Sequence, residues 1–368
     1  MTQSPDVPDF ERTLNAGLIQ PLSSSWRQDR PDADTKIAIG RPGRELCLYQ
    51  AAFGYDMQGE LEFLTNRAME PNIFFSARLL APAMPRVEDK QVRFALIRDE
   101  DGERSRMRFL MPFTVEKPGF SIGPAIVRAW ANPFGPLGTP LVDAEEAAET
   151  LDNLLDGLSQ AGARLPAVLV LPQVRLNGRF AQLMRAVAVS RDLPITLTDR
   201  VERPMLESEE PVETYLRSAV STHHYREMRR QWRRLAAKGR LDYAVARQPE
   251  DVRLKMEEFL ALEARGWKGR KRSALINDRY RSAFAREAIT NLAEIDAVRI
   301  HTVEFDGKTI ASLIVFVMAG EAFTWKTTYD EAFGHYSPGK LLMLKLTEWH
   351  LDDANILRSD SCAVPDHP

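Results

Sequence analysis

A chain of 368 residues, 44% hydrophobic and 27% charged, has length for about two domains with buried cores, which excludes a small disulfide-stapled fold and a wholly disordered chain. Its two cysteines, Cys47 and Cys362, cannot fill a four-ligand zinc site, and their scarcity suits the cytoplasm. A net charge of −3 gives no bulk case for nucleic acid, and neither a signal-peptide pattern nor an apolar run of about 18 residues points to secretion or a membrane span.

Residues 1–44, with Pro5, Pro8, Pro21, Pro31, Pro42 and the run Ser23-Ser24-Ser25, read as a mobile or loosely docked arm. From Glu45 the pattern turns regular: a strand Leu46 to Gln50, a helix about Gln58 to Arg67, then strands near Val92 to Ile97 and Arg106 to Val115. Asp143 and Glu146 have the spacing of a capping box opening a helix to about Gly162. The run Ala167 to Leu171 predicts a buried strand and Phe180 to Arg191 a helix, which together make a βαβ unit.

A strand Ile195 to Asp199 leads through Pro204 to the acidic stretch Glu207 to Pro211, so one domain is expected over 45–205 and a second over 206–368. The second half predicts helices about Val212 to Lys238, Pro249 to Arg265 and Tyr280 to Leu292. A hairpin follows, His301 to Phe305 and Ile310 to Met318, joined by Asp306-Gly307. A strand Ala322 to Thr328 and an apolar helix Gly339 to Leu351 complete it. The halves share a loose element order, and the alternation of strands and helices gives an α/β (α+β) fold class.

Several motifs are near misses. Gly334 to Lys340 fits seven positions of a phosphate-binding loop, but Leu341 stands where a magnesium-binding hydroxyl belongs. Gly119-x-Ser121-x-Gly123 is bracketed by Pro118 and Pro124, which suits a loop better than a nucleophile elbow. His223, His224, His301, His335, His350 and His367 form no metal-ligand spacing. Arg217, Arg226, Arg229, Arg230, Arg233, Arg234, Lys238 and Arg240, with Tyr225 and Trp232 among them, could touch phosphates. The commoner reading is a solvated face paired with Glu207, Glu209, Glu210 and Glu213.

The stronger signal is Ser337-Pro338-Gly339-Lys340. Serine favours the N-cap and proline the first helical position, which leaves the amides of Gly339, Lys340 and Leu341 free to hold an anion. Gly339 permits close approach, the helix dipole adds positive potential and Lys340 adds a charge, a combination suited to a diphosphate. A plain helix start is the alternative. On the preceding strand, alternation puts Lys326 and Thr328 on one side and Trp325, Thr327 and Tyr329 on the other. Lys326 on a solvated sheet face, with Tyr329-Asp330-Glu331 merely ending the strand, is the alternative there.

Leu262-Glu263-Ala264-Arg265-Gly266-Trp267-Lys268-Gly269, Asp306-Gly307-Lys308-Thr309-Ile310-Ala311, Lys326 to Glu331 and Tyr336 to Leu342, with Pro71 to Phe75 and Gly138 to Leu141 in the first half, resemble GNAT-type acyltransferases of the CelD/BioF2-like group. The resemblance implies tandem GNAT-like domains related to the Fem peptidyltransferases, each a mixed, mostly antiparallel sheet flanked by helices, with the working site in the second. It places the pyrophosphate of acetyl-CoA or another acyl-CoA on Ser337, Gly339, Lys340 and Leu341, with no metal. Ser-Pro-Gly-Lys departs from the usual loop, and the chain ends at Pro368 where a final helix and strand are expected.

The implied reaction is direct acyl transfer to an amine or hydroxyl of a small-molecule or saccharide acceptor, in polysaccharide or cell-envelope metabolism. Lys326 or strand amides would polarise the thioester carbonyl, Tyr329 would protonate the thiolate, and Asp330 or Asp360 would take the acceptor's proton. Trp267 and Lys268 would shape the acceptor pocket. Two other readings stand beside it: an aminoacyl-tRNA donor gripped by the arginine-rich helix, and an inactive partner module.

Overall fold

The computed structural model describes residues 31–363, apart from 85, 88–90, 103 and 118–122. In the first half β1 (Thr35–Ala38) and β2 (Arg44–Gln50) lead to α1 (Gln58–Thr65) and α2 (Ala77–Ala83). Then come β3 (Arg93–Asp101), β4 (Arg104–Glu116), β5 (Ile126–Ala129), β6 (Leu141–Val142), α3 (Ala147–Ser159), β7 (Leu169–Val170) and α4 (Arg179–Ser190). The sheet order is β1-β2-β3-β4-β5-β7, with β6 on β4. Only the β5–β7 pair in it is parallel among the described residues.

The second half repeats the plan. After β8 (Met205–Leu206), α5 (Val212–Ala219) and α6 (Thr222–Ala236) come β9 (Leu241–Ala246), α7 (Pro249–Arg265), α8 (Trp267–Arg270) and α9 (Arg279–Glu294). The antiparallel run β10 (Val298–Phe305), β11 (Lys308–Met318) and β12 (Glu321–Tyr329) follows, then α10 (Pro338–Asp352) and β13 (Arg358–Asp360). Its order is β8-β13-β12-β11-β10-β9, and again one pair, β12 with β13, is parallel. The β10–β11 turn has Asp306 at φ 49 and Gly307 at φ 76, the left-handed pair that an Asp-Gly hairpin demands.

Four local expectations change. Thr35–Ala38 pairs with β2, so sheet structure begins inside the segment read as an arm. Ile195 to Asp199 forms no strand; Ile195 and Leu197 are exposed, and Met205–Leu206 reaches the second sheet instead. The expected helix from Val212 to Lys238 breaks at Val220-Ser221, where the Ser221 hydroxyl accepts from the His224 amide and caps a new helix. Asp143 caps nothing helical: it is buried against Arg67, Arg106 and Arg108, and α3 starts four residues on.

The halves share a core. Phe74 meets Phe316 and Phe323 edge-on at 6.2 and 5.8 Å, and Phe134 meets Phe284 at 6.1 Å. Each fully buried Phe contributes roughly 1.5–3 kcal/mol. Ion pairs close the rim: Arg175 binds Glu321 at 2.6 Å and Asp360 at 3.2 Å, and Arg86 binds Glu287 at 2.6 Å.

Candidate active site

The parallel pair β12–β13 is joined only over Glu321–Phe323 and Arg358–Asp360. Beyond it the outer edge of β12 has no strand partner among the described residues, and the Thr324 hydroxyl donates to the Ser361 carbonyl at 2.6 Å where the strands part. A β-bulge falls at the same place: Ile314 faces Lys326 and Val315 faces Thr324, so Trp325 is the extra residue. The bulge overturns simple alternation. Trp325 and Lys326 both lie on the face of Ile314 and Phe316 toward the first half, while Thr327 and Tyr329 lie on the α10 face with Leu313 and Ala311.

Trp325 Nε1 donates to the Phe134 carbonyl at 2.9 Å, and Lys326 Nζ stands 4.6 Å from the Phe134 ring centroid. No carboxylate or hydrogen-bond acceptor among the described residues engages that ammonium. Burial pushes its pKa down to about 8; Lys268 and Arg281 push the same way and Glu263 only partly offsets them. Phe134, supplied by a turn that Asn132 pins by accepting from the Phe134 and Gly135 amides, carried no sequence signal for a place at this site.

At the far end of β12 the chain makes a short 3-10 turn, Glu331–Tyr336, and enters α10 through Ser337. Pro338 is the first helical residue, as the sequence predicts, but Ser337 is left-handed at φ 52 and its side chain caps nothing. Its carbonyl accepts from the Lys340 and Leu341 amides at 2.9 and 3.1 Å, so two of the three expected free donors are engaged. The Gly339 amide stays unpartnered among the described residues, and the Ser337 and Lys340 side chains are exposed. The Leu341 side chain is core. A Cβ on Gly339 would meet only the Tyr329 ring, at 3.6 Å, so the loop has an open floor beside Tyr329.

Trp267 and Lys268 join this end. Lys268 Nζ binds the buried Glu263 carboxylate at 3.1 Å and the Thr327 carbonyl at 2.8 Å, and Glu331 accepts from the Trp267 amide and pairs with Arg270. The Trp267 ring is exposed. Asp330 caps the 3-10 turn by accepting from the Ala332 amide at 3.0 Å and lies 3.7 Å from Lys308. Asp360 is apart from these: it is buried, paired with Arg175 and Arg203, and accepts from the Cys362 amide.

Of the basic residues around α6, Arg217 pairs with Glu213, Arg230 with Glu227 and Arg240 with Asp242. Arg226, Arg229, Arg233, Arg234 and Lys238 have no carboxylate partner among the described residues, and Glu207, Glu209 and Glu210 engage none of them. The solvated, paired face expected from sequence is therefore mostly unpaired. His301 and His350 are buried against Tyr243 and Ser359, while His223 and His224 are exposed. Among the described residues no three metal-ligating side chains converge. Ser121 and His367 lie outside the described residues.

Residues 222–357 match the acetyltransferase (GNAT) domain family. Among solved structures, FemX aligns at a TM-score of 0.53 and 10% identity over 84% of this chain and 88% of its own, a likeness of fold spanning both halves. The C-terminal domain (DUF2156) of a putative lysylphosphatidylglycerol synthetase from Agrobacterium fabrum aligns at 0.49 and 13% over 85% and 79%. A tandem GNAT protein from the clavulanic acid biosynthesis pathway aligns at 0.36 and 12% over 88% and 91%. No curated protein matches the chain. The element order is repeated across the two halves, each a mixed, mostly antiparallel sheet flanked by helices, and residues 222–357 of the second carry the match to a GNAT-type transferase domain. No helix among the described residues is long and apolar enough to cross a membrane.

Proposed function

We propose that the second half transfers an acyl group directly from a CoA thioester to an amine or hydroxyl of a small-molecule or saccharide acceptor, in the manner of the CelD/BioF2-like group, and that the first half is a support without a working site. The observation that carries this reading is the opening between β12 and β13, flanked by the β12 bulge at one end and by the Ser337–Lys340 loop at the other. Tyr329 lies four positions beyond Trp325, about 13 Å of extended strand. An extended donor whose diphosphate rests at Gly339 would run along that free edge and bring its thioester to the bulge.

Roles are assigned from position in this reading. Lys326, unpaired at the bulge, faces the reacting carbonyl and stabilises the oxyanion as the acceptor attacks. Tyr329, beside Gly339, lines the diphosphate end rather than the leaving thiolate. Asp330 holds the loop by capping its turn, and Asp360 locks the joint. Trp267 and Lys268 border the acceptor, with Glu263 and Glu331 fixing them. Holding donor and acceptor on one rigid edge supplies much of the rate.

In the first half the equivalent helix start has Glu146 as its N-cap residue, whose carboxylate makes no cap bond and instead binds Arg41 and Arg44, each at 2.7 Å, so the cations there are already paired. That supports a support role. The unpaired cations of α6 favour a second reading, an aminoacyl-tRNA donor. Calorimetric titration with acetyl-CoA separates the two: the wild type should bind and Gly339→Leu should not, whereas absence of binding by the wild type sinks the acyl-CoA reading.

A further inference from the structure

The loop beside Gly339 offers one free amide and Lys340, which is little for a ligand carrying both a diphosphate and a phosphomonoester. The missing charge stands next to it on another element. α6 packs against α10 and the Glu331–Tyr336 turn. Near its carboxy-terminal end Arg234 and Lys238 both lean over the ring of Tyr336, at 5.9 and 5.5 Å from the centroid. Tyr336 is buried and immediately precedes Ser337, so its ring fixes where those two cations stand relative to the loop. Both side chains are exposed and neither has a carboxylate partner among the described residues. Two like charges held together without a counter-charge repel each other, and a dianion set between them removes that repulsion.

We propose that Arg234 and Lys238 form the subsite for the 3′-phosphate of coenzyme A, so that the enzyme selects CoA thioesters over thioesters of a bare 4′-phosphopantetheine arm. This rests on the acyl-CoA reading above and adds the identity of the carrier to it. The helix that looks like a nucleic-acid surface in the sequence is, on this view, split by position: its carboxy-terminal cations serve the donor nucleotide, and Arg230, paired with Glu227, does not.

The test compares CoA with dephospho-CoA, which differ only in the 3′-phosphate, by calorimetry on the full chain at low and high salt. The wild type should bind CoA about tenfold or more tightly than dephospho-CoA, with the gap narrowing as salt screens it. Arg234→Gln/Lys238→Gln should bind both alike, and Arg230→Gln should keep the preference. Equal affinity of the wild type for the two ligands overturns the subsite and leaves the acyl-CoA reading standing. A preference that survives in the double variant also overturns it, since the phosphate is then held elsewhere. Binding of neither ligand removes the donor reading and the subsite with it. The wild-type comparison needs no variant, so a double variant that fails to fold does not shield the proposal.

Discussion

Ser337 and Glu146 hold the same place in the two halves. Each is the left-handed N-cap, at φ 52 and 60, of the helix that lies in sequence between the two parallel-paired strands of its half, and neither side chain caps that helix. They differ in what lies around them. Arg44, fully buried, is held by Glu146 at 2.7 Å and Asp99 at 2.6 Å, whereas Ser337 faces open solvent. Glu146→Gln should destabilise the chain by about 1–3 kcal/mol because Arg44 keeps its charge and loses a partner. Inorganic phosphate should then raise the melting temperature of the variant more than that of the wild type, by replacing the lost charge. An equal phosphate response in both would remove the idea that a built-in carboxylate fills the first half's anion position.

Lys326 trades stability for chemistry. Its folded pKa, about 8, lies below the ordinary lysine value of 10.5. Between those values the unfolded chain holds a proton that the folded chain has released, so stability rises with pH from about 8 toward 10.5 and the full cost stands below 8. Lys326→Met should therefore stabilise the protein by about 2–3 kcal/mol at pH 7. The same variant should lose about a hundredfold or more in turnover with acetyl-CoA affinity kept. Wild-type turnover should fall above pH 8 as the ammonium loses its proton, and Lys326→Arg should lack that falling limb. A variant both active and no more stable would overturn the assignment.

How far sequence carries depends on the distance between interacting residues. Asp306-Gly307 and Pro338 act through their own backbone preferences, so the hairpin and the start of α10 are legible from a few letters. The Trp325 bulge is not: it arises from the register of β12 against β11, and it moves Trp325 to the face that alternation denies it. Phe134 and Arg175 are equally silent, because their partners lie 191 and 185 positions away. The free-donor count at Gly339 failed for a local reason: with Ser337 as N-cap its carbonyl accepts the helix's first bond from the Leu341 amide, and the Lys340 amide shares that carbonyl. Charge pairing on α6 failed because the helix breaks at Ser221, which separates its arginines from the acidic stretch before Val212.

Tyr329 distinguishes the donor's two ends. If it lines the diphosphate, Tyr329→Phe should leave turnover within about twofold of wild type, while Tyr329→Ala should weaken acetyl-CoA binding by about tenfold through lost packing beside Gly339. A loss of a hundredfold in turnover for Tyr329→Phe with binding intact would return the hydroxyl to the role of acid for the thiolate.

Glu331 ties the Trp267 segment to the donor loop, accepting from the Trp267 amide at 2.9 Å and pairing with Arg270 at 2.7 Å. Glu331→Gln keeps the shape and removes the charge, so the segment should loosen without unfolding. Steady-state kinetics should show a raised KM for the acceptor, several-fold, with the acetyl-CoA dissociation constant unchanged. An unchanged acceptor KM would place the acceptor elsewhere.

Asp360 offers the sharpest separation of structure from catalysis. Its carboxylate is 3% exposed, lies 3.2 Å from Arg175 and 3.5 Å from Arg203, and belongs to the strand whose pairing with β12 ends where the cleft opens. Arg175 is shared with Glu321, so removing the Asp360 charge leaves a partly buried guanidinium with one carboxylate instead of two. Asp360→Asn should cost about 3 kcal/mol of stability, and Arg175→Met a similar amount, because either breaks the same buried set. The double variant should cost less than the sum of the two, since each single change already forfeits the shared interaction. Below its melting range the Asp360→Asn protein should keep kcat within a few-fold at every pH. A base would instead give a large fall in kcat at constant stability, together with loss of the acidic limb of the pH profile.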